Sequence, residues 1–416
     1  MMDPTGDSTN RTAQTVVPRR KFLAAAGATS TLALAGCTGG GSGDAVTVAA
    51  LNPITGPFSS LGPGQRSGAQ LAVDEVNNNS DFDFEFELVT GDTETESGAA
   101  QDEAQRVVQD EGAEYVFGAI SSSVALALNE FAGESDFIYF PGGAAVPITG
   151  SSCNENVFRF ETNTAQIAEA ISAYTVNNIS TDVWFHTADY AYGDSVYNRV
   201  SGRMESANSD YTEIGRTKSQ LGADSYGSFI SNISNSDAGV VVLGMTGGDL
   251  VTFTNQAANA GLTDEIAVVG PTQSFRSVRA GTGENSVGTF GGVRYLPSLE
   301  TGDNPQFVDA YTDSNDGQPG NFARVGYDSI RLIAKGMNQA GSTNVDDVRD
   351  ALAGGTFETV LGEITLREGD HQATNPTWVG ELVTGEDSGL ATDVELIDQV
   401  PGDETLPPAS DLGCEL

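Results

Sequence analysis

Three consecutive serines, Ser121-Ser122-Ser123, follow the apolar run Tyr115-Val116-Phe117 and precede a stretch with helical spacing. Hydroxyls and free backbone N–H groups at a helix start can hold a carboxylate without any cation, aided by the positive end of the helix dipole. The same serines would serve equally well as plain helix caps. Other chemistries lack their parts. His186 and His371 are the only histidines, and neither has a Cys or His at ligand spacing, so no metal centre and no cofactor are expected. His186 reads as an ordinary strand-end residue. There is no G-x-x-x-x-G-K-[ST] phosphate cradle and no G-x-S-x-G elbow. Gly281-Thr282-Gly283 lacks the third glycine of a dinucleotide fingerprint. In Asp313-Ser314-Asn315-Asp316-Gly317 the glycine falls one place early for a calcium loop, and no Glu follows at the required distance. No nucleophile–base pair is visible, so a binding protein is expected rather than an enzyme.

The elements that must position those serines alternate in type. Val46 to Leu51 is a short apolar run broken by Asn52-Pro53-Ile54-Thr55-Gly56-Pro57, and Leu71, Ala72, Val73 and Val76 then recur at helical spacing within Gly68 to Asn77. Phe84, Phe86 and Leu88 alternate with acids as a strand, Ala99 to Gln109 reads as a helix, and Tyr115 to Phe117 as a strand. A Ser-capped helix starting at Ser121 and the strand Phe137 to Phe140 complete this run. After Arg159 the rhythm restarts: helix from Gln166, strand Val183 to His186, helix after Gly193, strand Val240 to Leu243, helix Leu250 to Ala260, strand Ile266 to Val269. Strands alternating with helices predict an α/β fold, and two such runs predict two doubly wound lobes with parallel sheets. Ligands of such sheets sit beyond the carboxyl ends of the strands, which singles out the loops at Asn52, Ser121, Pro141, Thr187, Met245 and Pro271.

The chain carries 58 acidic and 19 basic residues, a net -39. Nucleic acid is a poor partner for such a surface, because binding needs phosphate-neutralising cations. Lys21, Lys218 and Lys335 are the only lysines. Acids spread through well-patterned segments suit a surroundings in which salt screens self-repulsion. At the start, Arg19-Arg20-Lys21-Phe22-Leu23 and the small apolar run Ala24 to Gly36 read as a twin-arginine leader, too short to span a bilayer. Leu34-Ala35-Gly36-Cys37 resembles a lipobox, which makes Cys37 the expected lipidation site, with Thr38 to Ala45 as a Gly/Ser tether. Without residues 1–36 the chain has 15 basic against 56 acidic residues, a net -41. Membrane attachment is expected through the lipid alone. Cys153 and Cys414 remain, and in an exported chain they are expected to pair and pin the C-terminal tail.

The run Leu51-Asn52-Pro53-Ile54-Thr55-Gly56-Pro57, then Gly62, then Gly68 to Asn77 (GAQLAVDEVN) resembles the opening of the branched-chain amino acid binding proteins of ABC importers, here in a haloarchaeal-type lipoprotein. The likeness continues through Tyr115 to Gly118 with its serines, Phe158-Arg159-Phe160, Asp189 to Gly193, Gln256 to Leu262, Val325 to Ser329 and Ala340-Gly341-Ser342. The resemblance implies the type I periplasmic binding fold, with three crossovers near Phe160 to Thr164, Leu296 to Ser298 and Asn375 to Trp378. It divides the chain into a first lobe of residues 46–162 and 297–374, a second of 163–296 and 375–400, and a tail of 401–416. Carried over by position, Ser122, beside Ser121, matches a carboxylate-binding hydroxyl, Gly142 a carbonyl that meets the ligand's ammonium, and Tyr192 an aromatic wall. Thr272 stands where the family commonly has an acid for that ammonium, Ala144 where it has a threonine, and Leu61 and Thr246 where it has aromatic walls. Losing the acid matters, since a desolvated ammonium without a counter-charge is costly; Asp189 or Asp249 could substitute, or the ligand is not an α-amino acid. The implied function is an extracytoplasmic, monomeric receptor that delivers a branched-chain amino acid or related small carboxylate or amide to an ABC permease. A sensor reporting to a membrane transducer is the alternative that the same fold would serve.

Overall fold

Side-chain alternation along the first strand divides the first lobe's core in two. In the computed structural model, which describes residues 45–386 and 388–416, β1 (Val46–Asn52) sends Val46, Val48 and Ala50 into one apolar cluster and Ala49 and Leu51 into another. A strand buried on both faces is the mark of a parallel sheet covered by helices. The chain continues as α1 (Gly62–Asn78), β2 (Phe86–Asp92), α2 (Ser97–Gln109), β3 (Tyr115–Gly118), α3 (Ser122–Gly133) and β4 (Ile138–Pro141). These strands form a parallel sheet in the order β2-β1-β3-β4.

The second lobe begins at α4 (Thr164–Tyr174), whose start is set by a capping box between Asn163 and Gln166. It continues through β5 (Asp182–Ala188), α5 (Ala191–Ala207), β6 (Thr212–Ser219), α6 (Gly227–Ser234), β7 (Val240–Gly244), α7 (Gly247–Asn259), β8 (Ala267–Gly270), α8 (Arg276–Thr282) and β9 (Phe290–Val293). The chain then adds α9 (Asn304–Ser314), α10 (Asn321–Ala340), α11 (Val345–Leu352) and the hairpin β10 (Thr356–Thr359) and β11 (Gly362–Thr365) before β12 (Thr377–Thr384) and β13 (Thr392–Val400). The second sheet runs β13-β12-β9-β8-β7-β5-β6. β12 is antiparallel to both β9 and β13, so this sheet is mixed where the sequence predicts a purely parallel one.

Three other local differences have physical causes. α1 starts six residues before Gly68, because Pro63 sits in the first turn, where its missing N–H is harmless. β2 begins at Phe86 rather than Phe84; the rings of Phe82, Phe84 and Phe86 lie tilted against one another in series at 5.5 and 5.4 Å, leading into the strand. β6 alternates no apolar residues, as edge position allows. α10 packs on α1 at a backbone approach that a side chain would prevent: a Cβ on Gly68 would lie 1.9 Å from the Ala323 carbonyl oxygen.

The passages between the lobes are bound together by side chains. Arg159, fully buried, donates from Nε to Gln372 (2.6 Å), from Nη1 to the carbonyls of Gly143 (3.2 Å) and Ala145 (2.6 Å), and from Nη2 to the Thr149 hydroxyl. Gln166 Nε2 donates to the carbonyls of Ala373 and Asn375 and to Thr405, while Asn375 donates to the Phe160 carbonyl. The tail lies over this bundle, with Leu412 packed on Val146 and Ala165, and the Cys153–Cys414 disulfide, Cα atoms 5.7 Å apart, holds it there. Cations are placed unevenly. Of the fifteen lysines and arginines in the described residues, four are buried (Arg159, Arg279, Arg294 and Arg324), ten are half-buried, and only Arg216 is exposed. No helix of the described residues is long and apolar enough to cross a membrane. Cys37 and the leader lie outside the described residues.

Candidate functional site

The carboxyl ends of six strands converge between the lobes on a cavity with an empty volume of about 240 Å³. The first lobe contributes Ile120 and Ser122 after β3, Gly142 and Ala144 after β4, and Phe322 from the start of α10. The second contributes Tyr190 and Tyr192 after β5, Thr246 after β7, Thr272 and Phe275 after β8, and Arg294, the residue following β9. Only about 10 Å³ of it admits the centre of a water-sized sphere, room for about one water, so in this conformation the lobes are drawn together on the site.

Of the residues singled out from the sequence, Ser122, Gly142, Ala144, Tyr192, Thr246 and Thr272 line this one cavity. Ser121 and Leu61 do not. Ser121 is buried at the N-cap of α3, but its side chain makes no capping bond, so the serine cap expected from the sequence is absent. Leu61 borders a neighbouring space behind Phe275 and Phe322, where it packs against the opposite lobe at Gly247. The Ser122 hydroxyl oxygen accepts from the Ala145 N–H at 3.1 Å, and its own proton remains available to an acceptor in the cavity. Thr272 donates to the Met245 carbonyl at 3.0 Å. The Thr246 hydroxyl is buried and has no partner among the described residues.

Neither acid proposed to replace the missing carboxylate reaches the cavity lining. Asp189 is exposed and pairs with Lys218 at 2.9 Å. Asp249 is turned toward the Gly222 N–H, which it accepts at 3.0 and 3.1 Å, and burial pushes its pKa up to about 6 against the pull of that N–H and of the Tyr226 hydroxyl.

The site also holds an ionic group that the sequence reading does not anticipate. Arg294, 2% exposed, donates from Nη1 to Glu161 at 2.5 Å and from Nη2 to the Tyr192 hydroxyl at 3.1 Å, while its Nε has no partner among the described residues. Its guanidinium lies 5.1 Å from the Phe275 ring centre and 6.0 Å from that of Tyr192. Glu161 is fully buried behind it and also receives Asn321 (3.2 and 3.3 Å) and Arg324 (3.4 Å), so both carboxylate oxygens are occupied. The one hint in the sequence is that Arg294 stands between Val293 and Tyr295-Leu296, apolar neighbours on both sides.

The lobes touch around the cavity. Ala191 N–H donates to Ser123 (3.3 Å), Val146 N–H to Ser195 (2.9 Å), and Phe58 meets Tyr190 edge-on at 5.9 Å. Such contacts can form and break as lobes close and open, while the cores on either side stay intact.

Residues 45–387 match the family described as periplasmic binding protein. The leucine-, isoleucine-, valine-, threonine- and alanine-binding protein of Pseudomonas aeruginosa is 26% identical over 333 residues, 78% of this chain and 86% of that protein. Among solved structures, the amino acid ABC transporter substrate-binding protein of Pseudomonas fluorescens Pf-5 superposes with a TM-score of 0.81 at 22% identity, covering 90% of this chain and all of that one. A solute binding protein of an ABC transporter from Rhodopseudomonas palustris BisB5, in complex with 3,4-dihydroxy benzoic acid, gives 0.78 at 19% identity over 86% of this chain and 98% of that one. With the family match spanning both lobes and these neighbours sharing the arrangement of sheets, the chain belongs to the periplasmic binding protein family and has its type I fold.

Proposed function

We propose that this protein is an extracytoplasmic receptor that captures a small carboxylate-bearing solute between its lobes and delivers it to an ABC permease. The observation that carries this reading is the cavity itself: both lobes line it, it sits at the carboxyl ends of their strands, and hydroxyl and guanidinium donors face an aromatic wall there. Relatives support it from two sides. The P. aeruginosa protein is named for amino acids and the R. palustris structure holds a dihydroxybenzoic acid, ligands that share a carboxylate. Ser122 takes an anionic oxygen of the ligand, Thr246 and Thr272 contribute from the facing lobe, and Tyr192 closes over it. Cys37 carries the lipid that keeps the receptor at the membrane, and the receptor acts as a monomer.

The test is a solute panel read by thermal shift and calorimetry, with small-angle scattering to follow closure. A ligand that raises the melting temperature and shrinks the radius of gyration is the expected result. A protein that no solute stabilises or compacts would sink the receptor reading.

A further inference from the structure

The charge at the cavity distinguishes two kinds of carboxylate. An α-amino acid brings an ammonium as well as a carboxylate, and removing an ammonium from water without a counter-charge is costly. Among the described residues, the cavity lining contains one charged side chain, Arg294, and no carboxylate. The acids nearby are committed elsewhere: Glu161 to Arg294, Arg324 and Asn321, Asp249 to the Gly222 N–H, and Asp189 to Lys218. An ammonium here would meet a guanidinium, and in a desolvated space that repulsion is strong.

Donors, by contrast, are in excess. Arg294 Nε is buried without an acceptor, and so is the Thr246 hydroxyl on the same wall. Ser122 has a hydroxyl proton to give from the opposite lobe. Two donors without partners on residues that line one small cavity can give an acceptor there two hydrogen bonds, one of them charge-assisted. Tyr190, Tyr192, Phe275 and Phe322 supply the remaining walls, with Phe275 and Phe322 meeting edge-on at 5.6 Å from opposite lobes and Tyr190 and Tyr192 6.0 Å apart. Aromatic walls favour a flat or apolar body.

Resting on the receptor reading, we infer that the ligand is a small monocarboxylate that lacks an α-ammonium and has an apolar, preferably planar body, with its carboxylate held by Arg294, Thr246 and Ser122. Arg294 is thereby the residue that determines ligand class, excluding amino acids as well as anchoring acids.

Matched probes test this on the unaltered protein by calorimetry: 4-methylpentanoate against leucine, which differs from it by the α-ammonium, and benzoate against benzamide and benzylamine. The deaminated acid is expected to bind at least about tenfold tighter than leucine, and benzoate at least about tenfold tighter than benzamide, the fold-change of a hydrogen bond to a charged group. Benzylamine is expected not to bind. Arg294→Gln should remove the preference of benzoate over benzamide. Because that variant strips Glu161 of a partner and can fail to fold, Thr246→Val, which leaves the ion pair alone, should lower benzoate affinity severalfold with the melting temperature unchanged. Leucine binding as tightly as 4-methylpentanoate would overturn the ligand class and leave the receptor reading standing. If no probe binds, the inference falls; if the broad solute panel is also silent, the receptor reading falls with it.

Discussion

Arg159 and Arg294 are both buried arginines near the junction of the lobes, yet their surroundings differ in one respect. Every nitrogen of Arg159 has an acceptor on Gln372, Gly143, Ala145 or Thr149, whereas Arg294 keeps an unpartnered Nε on the wall of a cavity. A saturated guanidinium has nothing left to offer a ligand and serves the frame; one with a spare donor beside a cavity can give it to a ligand. The frame also shapes the site, because the Gly143 and Ala145 carbonyls held by Arg159 belong to the loop that carries Gly142 and Ala144 into the cavity. Burial lowers the Arg159 pKa to about 9, opposed by Asp370 and Glu161, so it stays charged at neutral pH.

The largest effect should come from breaking the saturated side. Arg159→Met leaves two carbonyls and two side chains without their donor, and by denaturant titration it should cost about 3–5 kcal/mol, the usual loss when one member of a buried charged network is removed. A loss below about 1 kcal/mol would show that the hinge does not depend on it. The tail belongs to the same frame, so replacing both Cys153 and Cys414 by Ser should cost about 2–4 kcal/mol of stability while solute affinity stays constant. Thiol labelling of the denatured, unreduced protein checks the bond itself, and reactive Cys153 and Cys414 would refute it.

Acid titration separates the two regions by sign. His371, stacked on Phe158 at 4.0 Å beside the hinge, has its pKa lowered to about 4 by burial, against the pull of the Val157 carbonyl. Between its unfolded value of 6.5 and about 4 the unfolded chain binds the extra proton, so this contribution, up to about 3 kcal/mol, is lost as pH falls through that window. Asp249, near the cleft, is raised from 3.8 to about 6, so its contribution is present below 3.8 and lost as pH rises through 6. His371→Gln should therefore lessen the loss of stability between pH 6.5 and 4. Asp249→Asn should gain on the native protein as pH rises from 4 to 7. Melts that show the same trend for both variants would erase the distinction. The smallest effect sharpens the unsaturated side: Ser122→Ala should cost about 1.5–3 kcal/mol of solute binding with little change in melting. Normal binding with lowered melting would return Ser122 to the frame.

The order of strands and helices was readable because apolar runs such as Val46 to Leu51 and Val240 to Leu243 are buried on both faces of their sheets. The strand-end loops at Ser121, Pro141, Thr187, Met245 and Pro271 were readable for the same reason, whereas Ser122, Gly142, Tyr192, Thr246 and Thr272 were singled out by the family resemblance. Arg294 escaped because its strand, Phe290-Gly291-Gly292-Val293, has two glycines and too little apolar length to announce itself. Phe322 escaped because it sits at the start of a helix rather than the end of a strand. The antiparallel edge formed by β12 and β13 was hidden too, since Thr392 to Val400 carries acids on a largely exposed strand.

With 58 acidic against 19 basic residues, and most of the described lysines and arginines half-buried, the outer surface is predominantly negative. A solute anion must approach through a field that repels it, and two like-charged lobes must come together around it. Added electrolyte weakens both repulsions, as the screening length falls from about 10 Å at 0.1 M to about 3 Å at 1 M, while the dry contact with Arg294 is largely shielded from the ions outside. Affinity for an anion should then rise with ionic strength, the reverse of what an exposed ion pair would do. Salt becomes, in effect, a second ligand of the closed form.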